Sequence, residues 1–364
     1  MDSAKNQSAT VVTKESRNKI RVDYEGKLSF GQRMKSKFKS SQTWIKIVIN
    51  IFRFILMLGV SYVIIYPFIS KIARSIMSIS DVTDSTVLLI AREPNLEQYQ
   101  TLFTEAGYME AFINTLTLSL ICALIQMFIS CLIGYGLAKF KFKGNGLIMI
   151  LVILTMIIPH RTLSFYMAKN FTSFDLFTFA SFGWEGIIEH LTGSTLSFND
   201  TYIPFIVMSI CGLAFKNGLY IYLMRQFFKG IPDELEESAY VDGSGTIRTF
   251  FQIILPLAVP MMITVFLFSF SWQWTDNFYA GEIFIKAVGI SSESASVIKV
   301  PVLMSDVVGF ANSTAAAEFI NDTAEYQLAV QGTAGIMVIA PLVVLYLFCQ
   351  RYLVQGIERS GITG

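Results

Sequence analysis

Five polar or aromatic side chains lie within, or at the end of, strongly apolar stretches and could bind a solute: Gln126, Lys216, Asn217, Trp272 and Trp274. Amide and ammonium groups donate hydrogen bonds to hydroxyl groups, and indole rings stack against the apolar face of a sugar. Because polar groups inside a bilayer are costly, those that are retained usually face a protein interior or an aqueous path. We therefore predict that these residues line a solute path, with Lys216 and Asn217 interrupting a helix beside Gly218.

The same residues also have ordinary structural interpretations. Lys216 could extend its ammonium group along the helix to the cytoplasmic border, and Asn217 could form a hydrogen bond to a neighbouring helix. Trp272 and Trp274 could anchor their helix at the membrane interface, where tryptophan is common. The sequence is compatible with the solute-binding role and with these structural roles.

Residues typical of catalysis and of metal binding are sparse. The two histidines, His160 and His190, have no cysteine or paired carboxylate close in sequence to complete a metal site. The four cysteines lie in apolar stretches at spacings that fit neither a zinc site nor a disulfide framework, so buried free thiols are expected. The sequence contains no glycine-rich phosphate loop ending in Gly-Lys-Ser/Thr. We predict no catalytic residue, no metal and no cofactor in this chain.

The composition indicates a protein that lies in a membrane. Of 364 residues, 53% are hydrophobic and only 15% are charged, and the net charge of +1 argues against nucleic-acid binding. Six stretches approach the roughly 20 apolar residues that a helix needs to cross a bilayer. The predicted fold class is an all-α integral membrane protein with six transmembrane helices, in which Pro159 and Pro260 interrupt the third and fifth. The stretches are residues 48–69, 114–137, 147–167, 203–224, 258–274 and 335–353.

Basic residues predict the orientation. Nineteen of the 28 Lys and Arg residues fall on one side of these stretches and seven on the other, although the loops on the second side are longer. Since cytoplasmic loops are enriched in Lys and Arg, both termini are predicted to be cytoplasmic. Four parts follow: a basic tail over residues 1–46, a first span with an external segment over 47–110, a core with five spans over 111–353, and a cytoplasmic tail over 354–364. The core includes external loops at 160–201 and 276–332 and a cytoplasmic loop at 230–256.

The cytoplasmic loop is predicted to form a short helix, because residues typical of helix ends lie at both of its boundaries. Pro232 suits the first helical turn, and the acidic residues at 233, 234, 236 and 237 favour the positive end of the helix dipole. Gly243 can adopt the left-handed conformation that stops a helix. A second helix from about Thr246 would continue through Pro256 into the fifth span. The sequence therefore predicts a compact two-helix projection into the cytoplasm.

This segment resembles the cytoplasmic motif of ABC-importer permeases, which reads Glu-Ala-Ala, three residues, Gly, nine residues, Ile, one residue and Leu-Pro. The required positions are held by Glu237, Ala239, Gly243, Ile253, Leu255 and Pro256, while Ser238 replaces the middle alanine. Asp242 and the pair Ile231-Pro232 are similar to the sugar-importer branch of that family. The end of the chain, from Gln350, is similar to the second permease subunit of maltose-type importers.

The resemblance implies a type I ABC-importer permease fold in a bacterial or archaeal plasma membrane. It implies a second permease subunit, two ATP-binding subunits that bind ATP and Mg²⁺, and an external solute-binding protein. Coupling to the ATP-binding subunits would run through the helix at 234–242, and carbohydrate, an oligosaccharide in particular, would be the solute. The residues implied in coupling are Glu234, Glu237, Ser238, Ala239, Asp242 and Gly243.

Two other functions compete with carbohydrate import. A permease for another solute, such as a glycerol phosphate or a polyamine, would share the coupling motif. An ATP-independent secondary carrier would show inverted repeats, and none is evident in the sequence. A membrane enzyme is disfavoured by the sparse histidines and the missing metal-ligand spacing.

Overall fold

The structure is a computed structural model, and it describes residues 13–15, 19–21, 41–175, 196–198, 201–276, 278–279, 303–311 and 324–361. The chain divides into two compact units, Met1–Phe68 and Ile69–Gly364. Most of the two long predicted external loops, and the end of the C-terminal tail, lie outside the described residues.

The first unit contains two short strands and most of one long helix. Strands β1 (Thr13–Glu15) and β2 (Lys19–Arg21) pair antiparallel, with Lys14 opposite Ile20, which departs from the all-helical prediction. Helix α1 spans Ser41–Arg74, and no residue in its most apolar window is buried. A helix that exposes apolar side chains all round needs an apolar solvent, so α1 suits a lipid environment.

The described regular elements of the second unit are helices, with isolated bridges between Met77 and Pro94 and between Phe174 and Leu196. Its first helices are α2 (Ile79–Thr83), α3 (Glu97–Thr104), α4 (Tyr108–Lys139), α5 (Asn145–Ile157), α6 (His160–Thr172), α7 (Ile203–Ile210) and α8 (Asn217–Lys229). They are followed by α9 (Glu234–Val241), α10 (Thr246–Thr249), a π-helical turn (Phe250–Ile254), α11 (Leu255–Trp274), α12 (Met304–Ala311) and α13 (Ala324–Gly361).

Four helical segments of the described chain are long and apolar enough to cross a membrane. They are Trp44–Arg74, Tyr108–Lys139, Thr246–Trp274 and Ala324–Leu353, and they contain the first, second, fifth and sixth predicted spans. Pro260 lies inside α11 without ending it, so the predicted interruption of the fifth span was wrong. Pro67 and Pro341 likewise lie inside α1 and α13.

The third and fourth predicted spans are divided. Helix α5 ends at Ile157, because Ile158 is extended, as residues before a proline usually are, and α6 starts after Pro159. The fourth stretch is split into α7 and α8 by residues 211–216, which confirms the interruption predicted at Lys216 and Asn217.

Helix α4 is the central element that positions the candidate sites. It packs against α7, α8 and α11, and α11 packs in turn against α13. Cys122 and Cys131, both on α4, are buried as predicted, whereas Cys211 is exposed in the break after α7 and Cys349 is partly exposed. The prediction of buried thiols therefore holds for the two cysteines on the central helix.

Candidate functional site

Helix α9 is the short helix predicted in the cytoplasmic loop. Three acidic side chains occupy its first turn, and the helix ends at Val241, one residue before the predicted end. Gly243, at φ 80°, stops it in a Schellman arrangement. There the Ser244 amide donates to the Ala239 carbonyl at 2.9 Å and the Gly243 amide donates to the Tyr240 carbonyl at 3.0 Å.

Five of the six residues assigned to coupling are exposed. Ala239 is the exception, since it is 5% exposed and packs inside the projection. Two exposed apolar side chains on the projection were not named from the sequence. Val241 is 87% exposed and Ile247 is 76% exposed. Their signal was available, because an apolar residue in a short polar helix needs a partner surface. The exposed members of the predicted set are Glu234, Glu237, Ser238, Asp242 and Gly243.

Hydrogen bonds link the residues that precede α9 to the C-terminal end of α4. The Lys139 ammonium donates to the Ile231 carbonyl at 2.6 Å and to Asp233 Oδ1 at 2.5 Å. The hydrogen bond from Lys139 and its positive charge hold the pKa of Asp233 below its ordinary value. Glu236, 8% exposed, has its pKa raised by burial. The Tyr135 hydroxyl lies close to it, but Glu236 Oε1 makes no hydrogen bond of good geometry.

A buried polar network joins three helices at Gln126. Its side-chain nitrogen donates to Ser209 Oγ on α7 at 3.1 Å, and its oxygen accepts from Ser269 Oγ on α11 at 2.7 Å. Ser209 donates onward to the Phe205 carbonyl at 2.7 Å. Gln126 is 3% exposed, so the structure places it as a link between helices and also at a cavity wall.

A cavity of about 240 Å³ lies beside this network. Gln126 and Ser269 form a polar part of its wall, and Trp272, 47% exposed, lies on the side lined by aromatic rings. Such a mixture of apolar surface and a few polar groups is typical of ligand sites. The remaining lining residues are Phe205, Met208, Ala214, Phe215, Gln273, Thr275, Asp276, Phe278 and Tyr279.

Lys216 lies next to this cavity in the break between α7 and α8. Its Nζ is 5.0 Å from the centre of the Phe215 ring and 5.2 Å from that of Trp272. Asn217 is 1% exposed, and its side-chain oxygen accepts from Ser130 Oγ at 3.4 Å. The predicted hydrogen bond of Asn217 to a neighbouring helix is therefore present. The ammonium of Lys216 rests on aromatic rings.

Trp274 lies apart from the other predicted path residues. It is 2% exposed, its indole N–H donates to the Val338 carbonyl at 2.8 Å, and its ring stacks on Phe270. It does not line the cavity. Its placement is that of a packing residue between α11 and α13.

Sequence reasoning missed three members of the aromatic cluster. Phe215 contacts the His160 ring at 4.9 Å between centroids and the Tyr279 ring at 5.9 Å. The Tyr279 hydroxyl and His160 Nδ1 are hydrogen-bonded at 2.5 Å. Only folding brings these residues together, since they belong to three separate stretches of the chain. Phe215, which precedes Lys216, could have been named from the sequence as an aromatic neighbour of the helix break. In the described ranges no group of three or more His, Cys, Asp or Glu residues could hold a metal ion.

Apolar helices around a largely aromatic cavity with a few polar groups, together with a short projecting helix, define a helical membrane protein with a candidate solute site. The chain belongs to the family of binding-protein-dependent transport system inner membrane components, whose model matches residues 126–359, more than half of the sequence. Members of that family are transport components, which agrees with the interpretation of this chain as a permease subunit rather than a catalytic subunit.

Curated relatives support the carbohydrate-importer resemblance. The arabinooligosaccharide transport system permease AraQ of Bacillus subtilis is 25% identical over 74% of this chain and 79% of its own length. The maltodextrin transport system permease MalD of Streptococcus pneumoniae is 24% identical over 85% of this chain and 94% of its own. The fold is that of a chain in a bacterial alginate ABC transporter, solved in complex with its alginate pentasaccharide-bound periplasmic protein. The two match with a TM-score of 0.58 at 17% identity, covering 84% of this chain and 94% of that one.

Proposed function

We propose that this chain is a permease subunit of an ATP-driven ABC importer for carbohydrates, with an oligosaccharide as solute. The observation that carries the proposal is α9, a capped helix with exposed Glu237 and Gly243 at the spacing of the importer motif. Family membership and carbohydrate-permease relatives support the same assignment. The chain would form half of a heterodimeric pore.

The coupling step follows from the way α9 is held. Asp233 and Ile231 bind Lys139 at the end of α4, so a force on α9 would be transmitted to the helix that carries Gln126. Exposed Val241 and Ile247 supply apolar contact area for a groove in an ATP-binding subunit. Two such subunits would bind ATP and Mg²⁺ and supply the energy, while this chain moves the solute.

The remaining partners and the topology belong to the same proposal. An external solute-binding protein would deliver the oligosaccharide, and a second permease subunit would complete the pore. The spans would number six, with the divided stretches α5–α6 and α7–α8 as the third and fourth. Both termini would be cytoplasmic, as the distribution of Lys and Arg predicts.

Purification from native membranes in mild detergent tests the assignment. The tagged wild-type chain is expected to bring an ATP-binding subunit and a second permease with it. The double variant Glu237→Lys, Gly243→Trp is expected to keep the second permease and lose the ATP-binding subunit, since it changes the exposed face of α9 and strains its left-handed stop. Glu93→Lys is the matched control, because Glu93 is also exposed but lies in the segment assigned to the outside.

Two results would contradict the proposal. A wild-type chain that purifies without an ATP-binding subunit would exclude an ABC importer. A double variant that retains the ATP-binding subunit as well as the Glu93→Lys control would leave the importer in place but remove the coupling role of α9.

A further inference from the structure

The backbone at the start of α8 is held in an unusual conformation. Lys216 has a φ of 64°, and it is the one non-glycine residue with a positive φ in the part of the chain that the structure describes. A side chain with a Cβ makes this conformation unfavourable, and residues held in it cluster at functional sites. The conformation lies in the break between α7 and α8, and Lys216 is the N-cap residue of α8.

Lys216 brings a positive charge without a carboxylate partner. Its side chain is exposed and rests on Phe215 and Trp272, and neither ion pair of the described residues involves it. Helix α8 has 13 residues, so its first turn adds the partial positive charge of a helix N-terminus. Both charges favour an anion at the same place.

Asn217 supplies a second, independent observation, which is an unpaired buried donor. It is 1% exposed, yet its side-chain nitrogen, Nδ2, has no hydrogen-bond partner. A buried donor without an acceptor is costly, so a ligand oxygen would relieve that cost. Asn217 lines a second cavity of about 120 Å³, together with Thr155, His160, Gly212 and Lys216. Its Nδ2 lies at the Gly212 wall, 3.4 Å from where a Cβ on that glycine would be.

The close approach of α8 to α5 shapes this cavity. A Cβ on Gly218 would lie 2.5 Å from Thr155 Oγ1 and 2.9 Å from the Val152 carbonyl oxygen, so a side chain there would push the start of α8 away. With glycine, the first turn of α8 stays against α5, and Lys216 and Asn217 both line the same cavity.

We propose that the start of α8 binds a carboxylate carried by the solute, and that the imported oligosaccharide is therefore acidic. This inference rests on the proposed function and specifies its substrate class. Lys216 and the Asn217 amide would donate to the carboxylate, and the exposed Trp272 ring would contact the sugar ring in the neighbouring cavity. The second cavity of about 120 Å³ has room for a carboxylate with water, since a water molecule takes about 30 Å³ of liquid. A cationic solute such as a polyamine would be repelled by Lys216.

Uptake by the complete importer, purified through this chain and reconstituted in vesicles, tests the inference. The probes are a trigalacturonate, its neutral methyl ester and a phosphorylated trisaccharide. Wild type is expected to take up trigalacturonate, and Lys216→Gln to lower that uptake roughly 10- to 100-fold, the range for a lost hydrogen bond to a charged group. Asn217→Ala should lower it less, and Lys216→Arg should restore part of it. Lys169→Gln should have no effect, because it changes an exposed lysine near the C-terminal end of α6, whereas His160 at the N-terminal end lines the second cavity. All variants are compared at equal amounts of assembled complex.

The outcomes separate the inference from the proposed function. Uptake of only the neutral ester, or trigalacturonate uptake that Lys216→Gln leaves unchanged, overturns the acidic-solute inference while carbohydrate import stands. Preference for the phosphorylated probe overturns the carboxylate assignment. Failure of the wild-type complex to take up any saccharide, neutral or acidic, contradicts the proposed function itself.

Discussion

Lys139 at the end of α4 donates a hydrogen bond to Asp233 at the N-terminus of α9, with 2.5 Å between Nζ and Oδ1. The lysine side chain is 5% exposed and the aspartate side chain 76% exposed. Because the same ammonium also binds the Ile231 carbonyl, it fixes the backbone that leads into α9 as well as one side chain. The central helix and the projecting helix are thereby joined at one buried group.

Replacing Lys139 with methionine should weaken this joint, because methionine keeps a long unbranched side chain but lacks the ammonium group. Asp233 and the Ile231 carbonyl then lose their donor, so we expect solute-stimulated ATPase activity of the complete importer to fall several-fold while basal activity stays. The control is Lys141→Met, because Lys141 is exposed and lies two residues further along the chain. Equal stimulation in both variants would mean that the joint does not transmit the motion.

Gly243→Ala should destabilise the end of α9. An alanine held at φ 80° is in the left-handed conformation, which is unfavourable by about 1–2 kcal/mol for a residue with a Cβ. The measurement is the thermal unfolding midpoint of the purified complex, together with recovery of the ATP-binding subunit. Gly245→Ala is the matched control, since Gly245 has an extended backbone at φ −78° and open space where a Cβ would lie. If the two variants unfold alike, the left-handed stop contributes nothing.

The projection could be predicted from sequence because its signals are local. Pro232 and the acids that follow mark the start of α9, and Gly243 marks its end, all within a dozen residues. The long apolar spans were predictable for the same reason, since length and composition alone define them. The break at Lys216 was also visible as two adjacent polar residues, Lys216 and Asn217, in an apolar stretch.

Gln126 and Trp272 were named from the sequence, but the rest of the candidate site could not be predicted, because it depends on tertiary packing. His160, Phe215 and Tyr279 come from three stretches that meet only in the fold. Trp272 and Trp274 look alike in sequence, two residues apart, yet a helix turns by about 200° over two positions. One ring therefore faces the cavity and the other the core.

Alanine substitutions at these two tryptophans should have different effects. Trp272→Ala removes a half-exposed ring beside the cavity, so we expect reduced uptake with little change in stability. Trp274→Ala opens a void in the core and should cost about 3–5 kcal/mol of unfolding free energy. Uptake and thermal unfolding, measured on both variants, check the assignment. A large loss of stability in Trp272→Ala, with wild-type uptake in the surviving protein, would contradict it.

The Gln126 network should behave as a coupled unit. Gln126→Leu leaves the Ser269 hydroxyl without its acceptor, and Ser269→Ala leaves the Gln126 oxygen without its donor. The double variant removes both groups, so its destabilisation should be smaller than the sum of the single variants by about 0.5–3 kcal/mol. Unfolding of the four proteins in a double-mutant cycle measures this difference. Additive effects would show that the bond contributes nothing to holding α4 against α11.

The buried carboxyl of Glu236 should make stability depend on pH. Burial raises its pKa above the ordinary value of 4.5, and Asp233 adds to this effect, while Lys139 and Tyr135 oppose it. Between 4.5 and the raised pKa, the folded protein keeps a proton that the unfolded chain has lost. The unfavourable contribution of this group to the free energy of folding therefore decreases as the pH falls through that window. Above the window the ionised carboxylate opposes folding.

Glu236→Gln removes that ionisation, so the variant should unfold at a higher temperature than wild type at pH 7.5. The difference should shrink as the pH falls through the raised pKa toward 4.5, because wild-type Glu236 then takes up its proton. Thermal unfolding of the purified complex across this range measures the effect, and Glu234→Gln, at an exposed position in the same turn, is the control. A lower unfolding temperature for Glu236→Gln at pH 7.5 would mean that attraction to Lys139 outweighs the cost of burial. The carboxylate of Glu236 would then act with Lys139 in holding α9.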